Sequence, residues 1–207
     1  MLRTALILML RPVLWLVLGL SIAGRAHLPR KGPAIVAANH NSHLDILVLA
    51  AAFKREALPL VTPVAAADYF LATPLLRFIA QKIIGIVPLD RTIRAGSDPL
   101  QGARAALEAG RILIVFPEGT RGAPEELGAL KSGLTKLCRD GNIPLIPAYI
   151  QGAGRILPKG TRVPVPFTCT VLIGRPLQTS TDRAETMAAL SAALDTLKAA
   201  APPLHWD

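Results

Sequence analysis

Short apolar runs of strand length alternate along the chain with segments whose apolar residues recur at helical spacing. The runs predict six strands, each bounded by polar, glycine or proline residues. These strands are Ala34–Ala38, Leu58–Pro63, Ile84–Leu89, Ile112–Phe116, Leu145–Ile150 and Thr168–Ile173. Because the runs are continuously apolar and helical segments separate them, the pattern predicts an α/β fold with a mostly parallel central sheet flanked by helices.

Two of the helical segments carry clear end signals. The first, Asp98–Gly110, begins with an aspartate that can cap it and a proline in its first turn, and it stops at glycine. The second, Asp182–Ala199, also begins with aspartate and has Glu185 three residues further on. Both are predicted to be amphipathic helices that pack on the sheet.

The N-terminal segment from Ala5 to Gly24 is almost entirely apolar and close to the length that spans a bilayer. Arg11 and Pro12 interrupt it, and an arginine at the centre of a span costs roughly 2.5–3.5 kcal/mol. We therefore predict two short helical pieces, broken at this dipeptide, that lie in the membrane interface. Five basic residues are expected to face lipid phosphates: Arg3, Arg11, Arg25, Arg30 and Lys31.

The chain is thus predicted to consist of a membrane-associating segment, residues 1–31, and one folded domain, residues 32–207. No repeat and no linker divides the second part. A secretory signal is the alternative for the first part, because the small residues Ser21 and Ala23 follow the apolar run.

The charge balance favours an anionic partner. The chain has 23 Lys+Arg against 14 Asp+Glu, a net charge of +9, and 51% of its residues are hydrophobic. Aromatic residues make up only 4%, so no stacking platform for nucleic acid is present. An anionic membrane surface or a phosphorylated substrate is the better expectation. Cys138 and Cys169 lack motif spacing and carry no metal or redox signature.

Polar clusters follow three of the predicted strands. They are NHNSHLD (residues 39–45), LDR (residues 89–91) and PEGTR (residues 117–121). In an open α/β sheet, ligands bind at the carboxyl ends of the strands. The three clusters are therefore expected to meet at one edge of the sheet and to form the functional site.

The first of these clusters allows a metal site as one interpretation, since His40, His43 and Asp45 are all ligand types. The binuclear hydrolase pattern, however, needs two further ligands at the positions that Asn41 and Ile46 occupy. A metal site is therefore disfavoured.

Two other interpretations of this cluster involve no metal ion. Ser42 could be an acyl nucleophile, but the glycines of a nucleophile elbow are missing, so Ser42 is predicted to be a helix cap or a prop of the loop. The favoured interpretation pairs His40, in the loop, with Asp45 in the first turn of the next helix. A carboxylate would hold the imidazole in one tautomer, and the imidazole could then take a proton from a substrate hydroxyl. A bond that merely orders the loop stays open as the alternative.

The PEGTR turn is predicted to bind phosphate. Arg121 offers a bidentate fork, Thr120 a hydroxyl, and Gly119 lets backbone amides approach. Glu118 is expected at the rim with them, and an ordinary Pro-x-Gly turn is the alternative. The candidate substrate-binding residues are Arg91, Glu118, Gly119, Thr120, Arg121 and Lys131.

Together these blocks resemble the glycerolipid acyltransferases of the lysophosphatidic acid type. The resemblance covers roughly residues 32–177, and the order and spacing of the blocks make it specific. One departure is Arg175, where the family usually has an acidic residue. The matching positions are Asn39, His40, Ser42 and Asp45, then Gly85–Arg91, Phe116–Arg121 and Ile143–Ala148.

The resemblance implies transfer of an acyl group from acyl-CoA or acyl-carrier protein to the sn-2 hydroxyl of 1-acyl-glycerol-3-phosphate. His40 would be the base, Asp45 would orient it, and the PEGTR residues with Arg91 and Lys131 would bind the acceptor phosphate. It implies no metal and no bound cofactor. It also implies that the domain of residues 32–207 is catalytic and works at the cytoplasmic face of the inner membrane, as a peripheral or monotopic protein.

Three alternatives remain open from the sequence. The acceptor could be another lysolipid, such as lyso-ornithine lipid. The protein could bind anionic lipid without catalysis, in which case His40 would not matter. It could also be a metal-dependent esterase, which a chelator would inactivate.

Overall fold

The computed structural model describes residues 2–66, 85–89, 98–138, 143–158, 161, 163–165 and 167–204. The strands are β1 (Ser21–Ala23), β2 (Ala34–Ala38), β3 (Val61–Ala66), β4 (Val87–Leu89), β5 (Ile112–Val115), β6 (Leu145–Gln151) and β7 (Thr170–Ile173). The α-helices are α1 (Leu2–Val17), α2 (Asp45–Ala52), α3 (Gln101–Glu108), α4 (Ala153–Ile156) and α5 (Arg183–Ala199). Short 3₁₀ turns cover Arg25–His27 and Ser132–Lys136.

The described strands form one sheet in the order β1-β7-β6-β2-β5-β3-β4. From β6 to β4 every neighbouring pair is parallel, whereas β7 runs antiparallel to β6 and pairs in parallel with β1. The predicted α/β fold with a mostly parallel sheet flanked by helices is therefore confirmed. Strand β2 lies at the centre between β5 and β6, which places the loop after it in the middle of the carboxyl edge.

Alternate residues of β2 face the two sides of the sheet, as the period of a strand requires. Val36 packs in a cluster with residues of α1 and α2, and Ile35 packs in a second cluster with residues of α3 and α5. All five residues of β2 are buried. Helix α2, which follows the loop of residues 39–44, is thus held by the sheet on one side and contacts α1.

Several predicted elements agree with the structure. Strand β2 has the predicted bounds, and α5 begins after Asp182, whose side chain accepts a hydrogen bond from the Ala184 amide at 2.8 Å. Helix α3 is shorter than predicted because Asp98 caps a turn that precedes it, accepting from the Leu100 amide at 3.0 Å.

Other elements differ. The strand predicted from Leu58 begins only at Val61, because residues 54–60 form turns closed by bonds such as that from the Leu58 amide to the Lys54 carbonyl. Strand β1 was not predicted, since its three residues follow the apolar N-terminal run without a break in hydrophobicity. Ile84, the predicted start of the strand before Asp90, lies outside the described residues.

The N-terminal segment forms one helix with Pro12 inside it, so the prediction of two pieces broken at this residue was wrong. A proline removes one backbone donor, and packing of the buried residues Ile7 and Leu14 against the core keeps the flanking turns aligned. Within the described ranges, no helix is both long and apolar enough to cross a membrane. The boundary at residue 31 stays a prediction.

Two of the five basic residues do not face lipid, contrary to the prediction. Arg11 and Arg25 donate to the backbone carbonyls of Ala52 and Phe53, at the C-terminal end of α2. The reason is local: the last carbonyls of a helix have no partner within it, and a guanidinium supplies the missing donors.

Candidate active site

The loop of residues 39–44 connects the central strand β2 to α2 and carries the predicted base. His40 Nδ1 lies 2.8 Å from Asp45 Oδ2, and Asp45, in the first turn of α2, is fully buried. The side chain of His40 is 19% exposed. Because a carboxylate only accepts, Nδ1 carries the proton and the Nε2 lone pair is available for a base role.

Asp45 also fixes the backbone that carries His40. Its Oδ2 accepts from the amides of Asn41 at 2.7 Å and Ser42 at 2.8 Å, in addition to the imidazole. Its other oxygen, Oδ1, is buried and has no hydrogen-bond partner among the described residues. One carboxylate oxygen therefore orders the loop and orients the ring together.

Phe116 sets the plane of the imidazole. Its ring stacks on that of His40 with centroids 4.2 Å apart and 19° between the planes. Since Phe116 directly follows β5, the stacking brings a second strand end to the site, as predicted for the carboxyl edge. The role of Phe116 was missed by sequence reasoning, although its place at the head of the PEGTR turn was the available signal.

Glu118 lies inside the site rather than at its rim, so the rim position predicted for it was wrong. Only 5% of the residue is exposed, and Oε1 accepts from the His40 amide at 3.3 Å. Burial raises the pKa of Glu118, and the backbone amides of His40 and Gly128 partly oppose that shift. Thr120 is exposed and Arg121 half-buried, as a rim requires.

The PEGTR turn and Lys131 lie together. The Gly119 amide donates to the Phe116 carbonyl at 3.0 Å, and the Lys131 amide donates to the Pro117 carbonyl at 2.8 Å. A Cβ on Gly119 would lie 2.7 Å from Lys131 Nζ, so the ammonium is folded over the turn. This contact brings together the two positions that the sequence predicted for phosphate binding.

A further positive charge lies near the base. The pKa of His43 is lowered, first by burial and then by the Arg121 guanidinium, with a smaller effect of His40. The positive charge of Arg121 therefore acts on the loop of residues 39–44. Arg91, the other predicted guanidinium, lies outside the described residues.

Two asparagines of the loop join it to neighbouring elements. Asn39 exchanges hydrogen bonds with the backbone of Ile150, at 2.9 and 2.7 Å, and donates to Asn41 Oδ1 at 2.6 Å. Asn41 Nδ2 donates in turn to the carbonyls of Ala123 and Glu126, beyond the PEGTR turn. Sequence reasoning missed Asn41, because nothing local distinguishes it from an ordinary loop asparagine.

Ser42 is a prop and not an exposed nucleophile, which confirms the prediction. It is fully buried, its Oγ donates to the Leu157 carbonyl at 3.0 Å, and it accepts from the Leu44 amide at 3.2 Å. For the ranges of the chain described above, no group of three or more His, Cys, Asp or Glu side chains is placed to hold a metal ion.

Comparisons with known proteins place the chain in a family. The family model described as Acyltransferase matches residues 19–151. The chain is 35% identical over 134 residues to a probable 1-acyl-sn-glycerol-3-phosphate acyltransferase of Mycoplasma pneumoniae, covering 64% of this chain and 49% of that protein. It is 34% identical to the 1-acyl-sn-glycerol-3-phosphate acyltransferase of Saccharomyces cerevisiae, covering 70% and 48%.

A chloroplastic 1-acyl-sn-glycerol-3-phosphate acyltransferase of Arabidopsis thaliana, LPAT1, is 30% identical and is covered to 38%. The chain thus spans half or less of the length of these relatives. Among solved structures, that of the 1-acyl-sn-glycerophosphate acyltransferase PlsC from Thermotoga maritima superposes with a TM-score of 0.73 at 22% identity. The match covers 99% of this chain and 81% of PlsC, and it shows the fold.

Proposed function

The chain belongs to the acyltransferase family, and from that premise we propose that it transfers a fatty acyl group from an acyl thioester to the sn-2 hydroxyl of 1-acyl-glycerol-3-phosphate. The product is phosphatidic acid, and the reaction belongs to phospholipid biosynthesis. The observation that carries the proposal is the bond of 2.8 Å between His40 and Asp45 at the carboxyl edge, beside the basic PEGTR turn. The names of the relatives, both 1-acyl-sn-glycerol-3-phosphate acyltransferases, support the choice of acceptor.

His40 acts as general base on the acceptor. Its Nε2 takes the proton of the sn-2 hydroxyl, and the resulting alkoxide forms a bond to the thioester carbonyl carbon. The tetrahedral intermediate then collapses, the carbon–sulfur bond breaks, and the thiolate recovers the proton from His40. Asp45 remains a carboxylate throughout and stabilises the imidazolium between the two transfers.

The acceptor phosphate binds at the rim of the PEGTR turn. Arg121 and Lys131 supply charge, Thr120 supplies a hydroxyl, and the missing Cβ of Gly119 leaves room for the Lys131 ammonium to lie over the turn. Arg91 is assigned to the same phosphate on the basis of its block in the sequence. Glu118 stabilises the loop that carries His40, because its Oε1 accepts a hydrogen bond from the His40 amide.

The donor is acyl-CoA or acyl-carrier protein. Both present a thioester on an anionic carrier, and the net charge of +9 suits either of them. Neither a metal nor a bound cofactor is needed, because base, orienting acid and phosphate ligands are all side chains of this chain.

The decisive assay measures acyl transfer from labelled oleoyl-CoA and palmitoyl-carrier protein to 1-acyl-glycerol-3-phosphate, in detergent micelles with EDTA. The wild type is expected to form phosphatidic acid with at least one donor. His40→Ala is expected to lower the rate by a factor of about 10⁴, the upper end of the usual contribution of a general base. Folding of both proteins is checked by circular dichroism.

Three results would contradict the proposal in different ways. Turnover only with lyso-ornithine lipid or another acceptor would overturn the choice of acceptor. Equal turnover by His40→Ala would show that the histidine merely orders the loop. Loss of wild-type activity in EDTA would favour the metal-dependent esterase.

The protein is proposed to act at the cytoplasmic face of the inner membrane, bound to its surface. Helix α1 supports this, because one side of it packs on the core while large apolar side chains on the other side are exposed. These exposed residues are Leu6, Met9, Val13, Trp15, Leu16 and Val17.

Replacement of Leu16, 86% exposed, by Asp is expected to weaken binding to vesicles that contain anionic lipid by about tenfold or more, since a charge replaces an inserted side chain. Vesicle flotation measures the bound fraction. Val163→Asp is the matched control, because Val163 is 75% exposed outside α1, and it should float like the wild type. Equal flotation of all three proteins would show that α1 is not the contact.

A further inference from the structure

Helix α2 has the catalytic aspartate at one end and two arginines at the other. Asp45 begins the helix, and the carbonyls of Ala52 and Phe53 end it. Arg25 donates from Nε to Ala52 O at 2.6 Å and from Nη2 to Phe53 O at 3.1 Å. Arg11 Nη2 donates to the same Phe53 carbonyl. Carbonyls that would lack partners inside the helix are thus bound by two guanidinium groups.

This arrangement is a built feature and not a chance surface contact. Arg11 is half-buried, its Nε is shielded from solvent without a hydrogen-bond partner among the described residues, and its pKa is lowered by burial and then by Arg25. Two like charges are held close together only where acceptors offset their repulsion. The negative end of the α2 dipole and the two carbonyls provide that offset.

The two arginines come from elements outside the catalytic loop. Arg11 belongs to α1, and Arg25 to the 3₁₀ turn that follows β1. They join both elements to the far end of an eight-residue helix, which is short enough to move as a rigid body. A shift or tilt of α2 would move Asp45, and with it the ring of His40.

We propose that Arg11 and Arg25 are positioning residues that set the placement of α2 and thereby hold the His40–Asp45 pair in its productive geometry. Neither touches the reacting atoms. Their effect is exerted through α2. Because Arg11 belongs to α1, the same contacts connect α1, with its exposed apolar side, to the catalytic base. The kinetic part of this inference rests on the proposed function.

The test compares Arg11→Gln and Arg25→Gln with the wild type in the micelle assay. Each variant is expected to lose about tenfold to a hundredfold in kcat, the range that small misplacements of a catalytic group produce, with KM changed less than about twofold. Arg11→Lys should recover most of the loss because Arg11 donates one hydrogen bond to the end of α2, whereas Arg25→Lys should recover less because Arg25 donates two there. Arg175→Gln, an exposed arginine after β7, is the matched control and should retain wild-type kcat.

A readout without turnover separates this inference from the proposed function. In the wild type, the Nδ1 proton of His40 should give a slowly exchanging proton NMR signal because Asp45 accepts it. Both glutamine variants are expected to broaden or lose that signal, and Arg175→Gln is expected to keep it.

Variants that melt at lower temperature but retain the signal and kcat would overturn the inference. If a glutamine variant does not fold, kcat and the signal of the His40 proton are measured on the lysine variants instead. A wild type with the signal but without turnover would instead overturn the proposed function.

Discussion

Asp45→Ala is expected to lower kcat for acyl transfer by about ten-thousandfold, the loss typical of removing the carboxylate that orients a catalytic histidine. The substitution removes one oxygen that accepts from the His40 ring and from the amides of Asn41 and Ser42. The ring would then be free to take the other tautomer, and the loop would lose two backbone hydrogen bonds. Each unsatisfied buried amide costs about 1–3 kcal/mol, so the melting temperature should fall as well.

Asp45→Asn separates orientation from charge. The amide oxygen can occupy the place of Oδ2 and keep all three hydrogen bonds, while the amino group takes the place of Oδ1, where no partner is available among the described residues. The tautomer of His40 is preserved, but the negative charge that stabilises the imidazolium is lost. We expect a decrease in kcat of about a hundredfold, between those of the wild type and Asp45→Ala.

Steady-state kinetics with the donor that the wild type accepts would measure both variants. Asp182→Ala is the matched control, because Asp182 caps α5 and its loss should cost about 1 kcal/mol of stability without an effect on kcat. A kcat for Asp45→Ala within tenfold of the wild type would show that His40 does not depend on this carboxylate. Equal values for Asp45→Asn and Asp45→Ala would show that charge, not orientation, is the contribution of Asp45.

The pairing of His40 with Asp45 could be predicted from sequence because it is local. His40 lies in the loop and Asp45 lies in the first turn of the helix that follows it. Because they are only five positions apart, the chain between them keeps the two side chains close together. The inward position of Glu118 could not be predicted in the same way. Its side chain turns toward the His40 amide, 78 positions away in the chain, and only the packing of β5 beside β2 makes that possible.

The same distinction applies to the fold. Strand β2 was predicted with its bounds because a continuous apolar run buried on both faces leaves little freedom in a parallel sheet. Arg11 was assigned to lipid because an arginine in an apolar helix has no local partner. Its acceptor, the Phe53 carbonyl, is distant in sequence and becomes available only after α1 packs on α2. Short-range patterns thus predict strands and local pairs, whereas tertiary contacts decide where charged groups bind.

Gly152→Ala is expected to lower the free energy of unfolding by about 3 kcal/mol or more, one of the larger effects available in this chain. Gly152 connects β6 to α4 with φ at 85°, a conformation that costs an alanine about 1–2 kcal/mol. A Cβ there would also lie 2.0 Å from the backbone oxygen of Thr168. Since that oxygen is part of the main chain leading into β7, relief requires a backbone shift and not a side-chain rotation.

Two other glycines separate these contributions in a thermal unfolding series. Gly110 has φ at 71° with nothing within 4 Å of its would-be Cβ, so Gly110→Ala should cost only the conformational term, about 1–2 kcal/mol. Gly133, in the 3₁₀ turn, has equal space and no left-handed backbone, so Gly133→Ala should be neutral or stabilise by up to about 1 kcal/mol. Melting temperatures should therefore rise in the order Gly152→Ala, Gly110→Ala, Gly133→Ala. If Gly152→Ala and Gly110→Ala melt at the same temperature, the backbone at Thr168 moves away from the added Cβ at little energetic cost. The antiparallel pairing of β6 with β7 then deforms more easily than the distance of 2.0 Å implies.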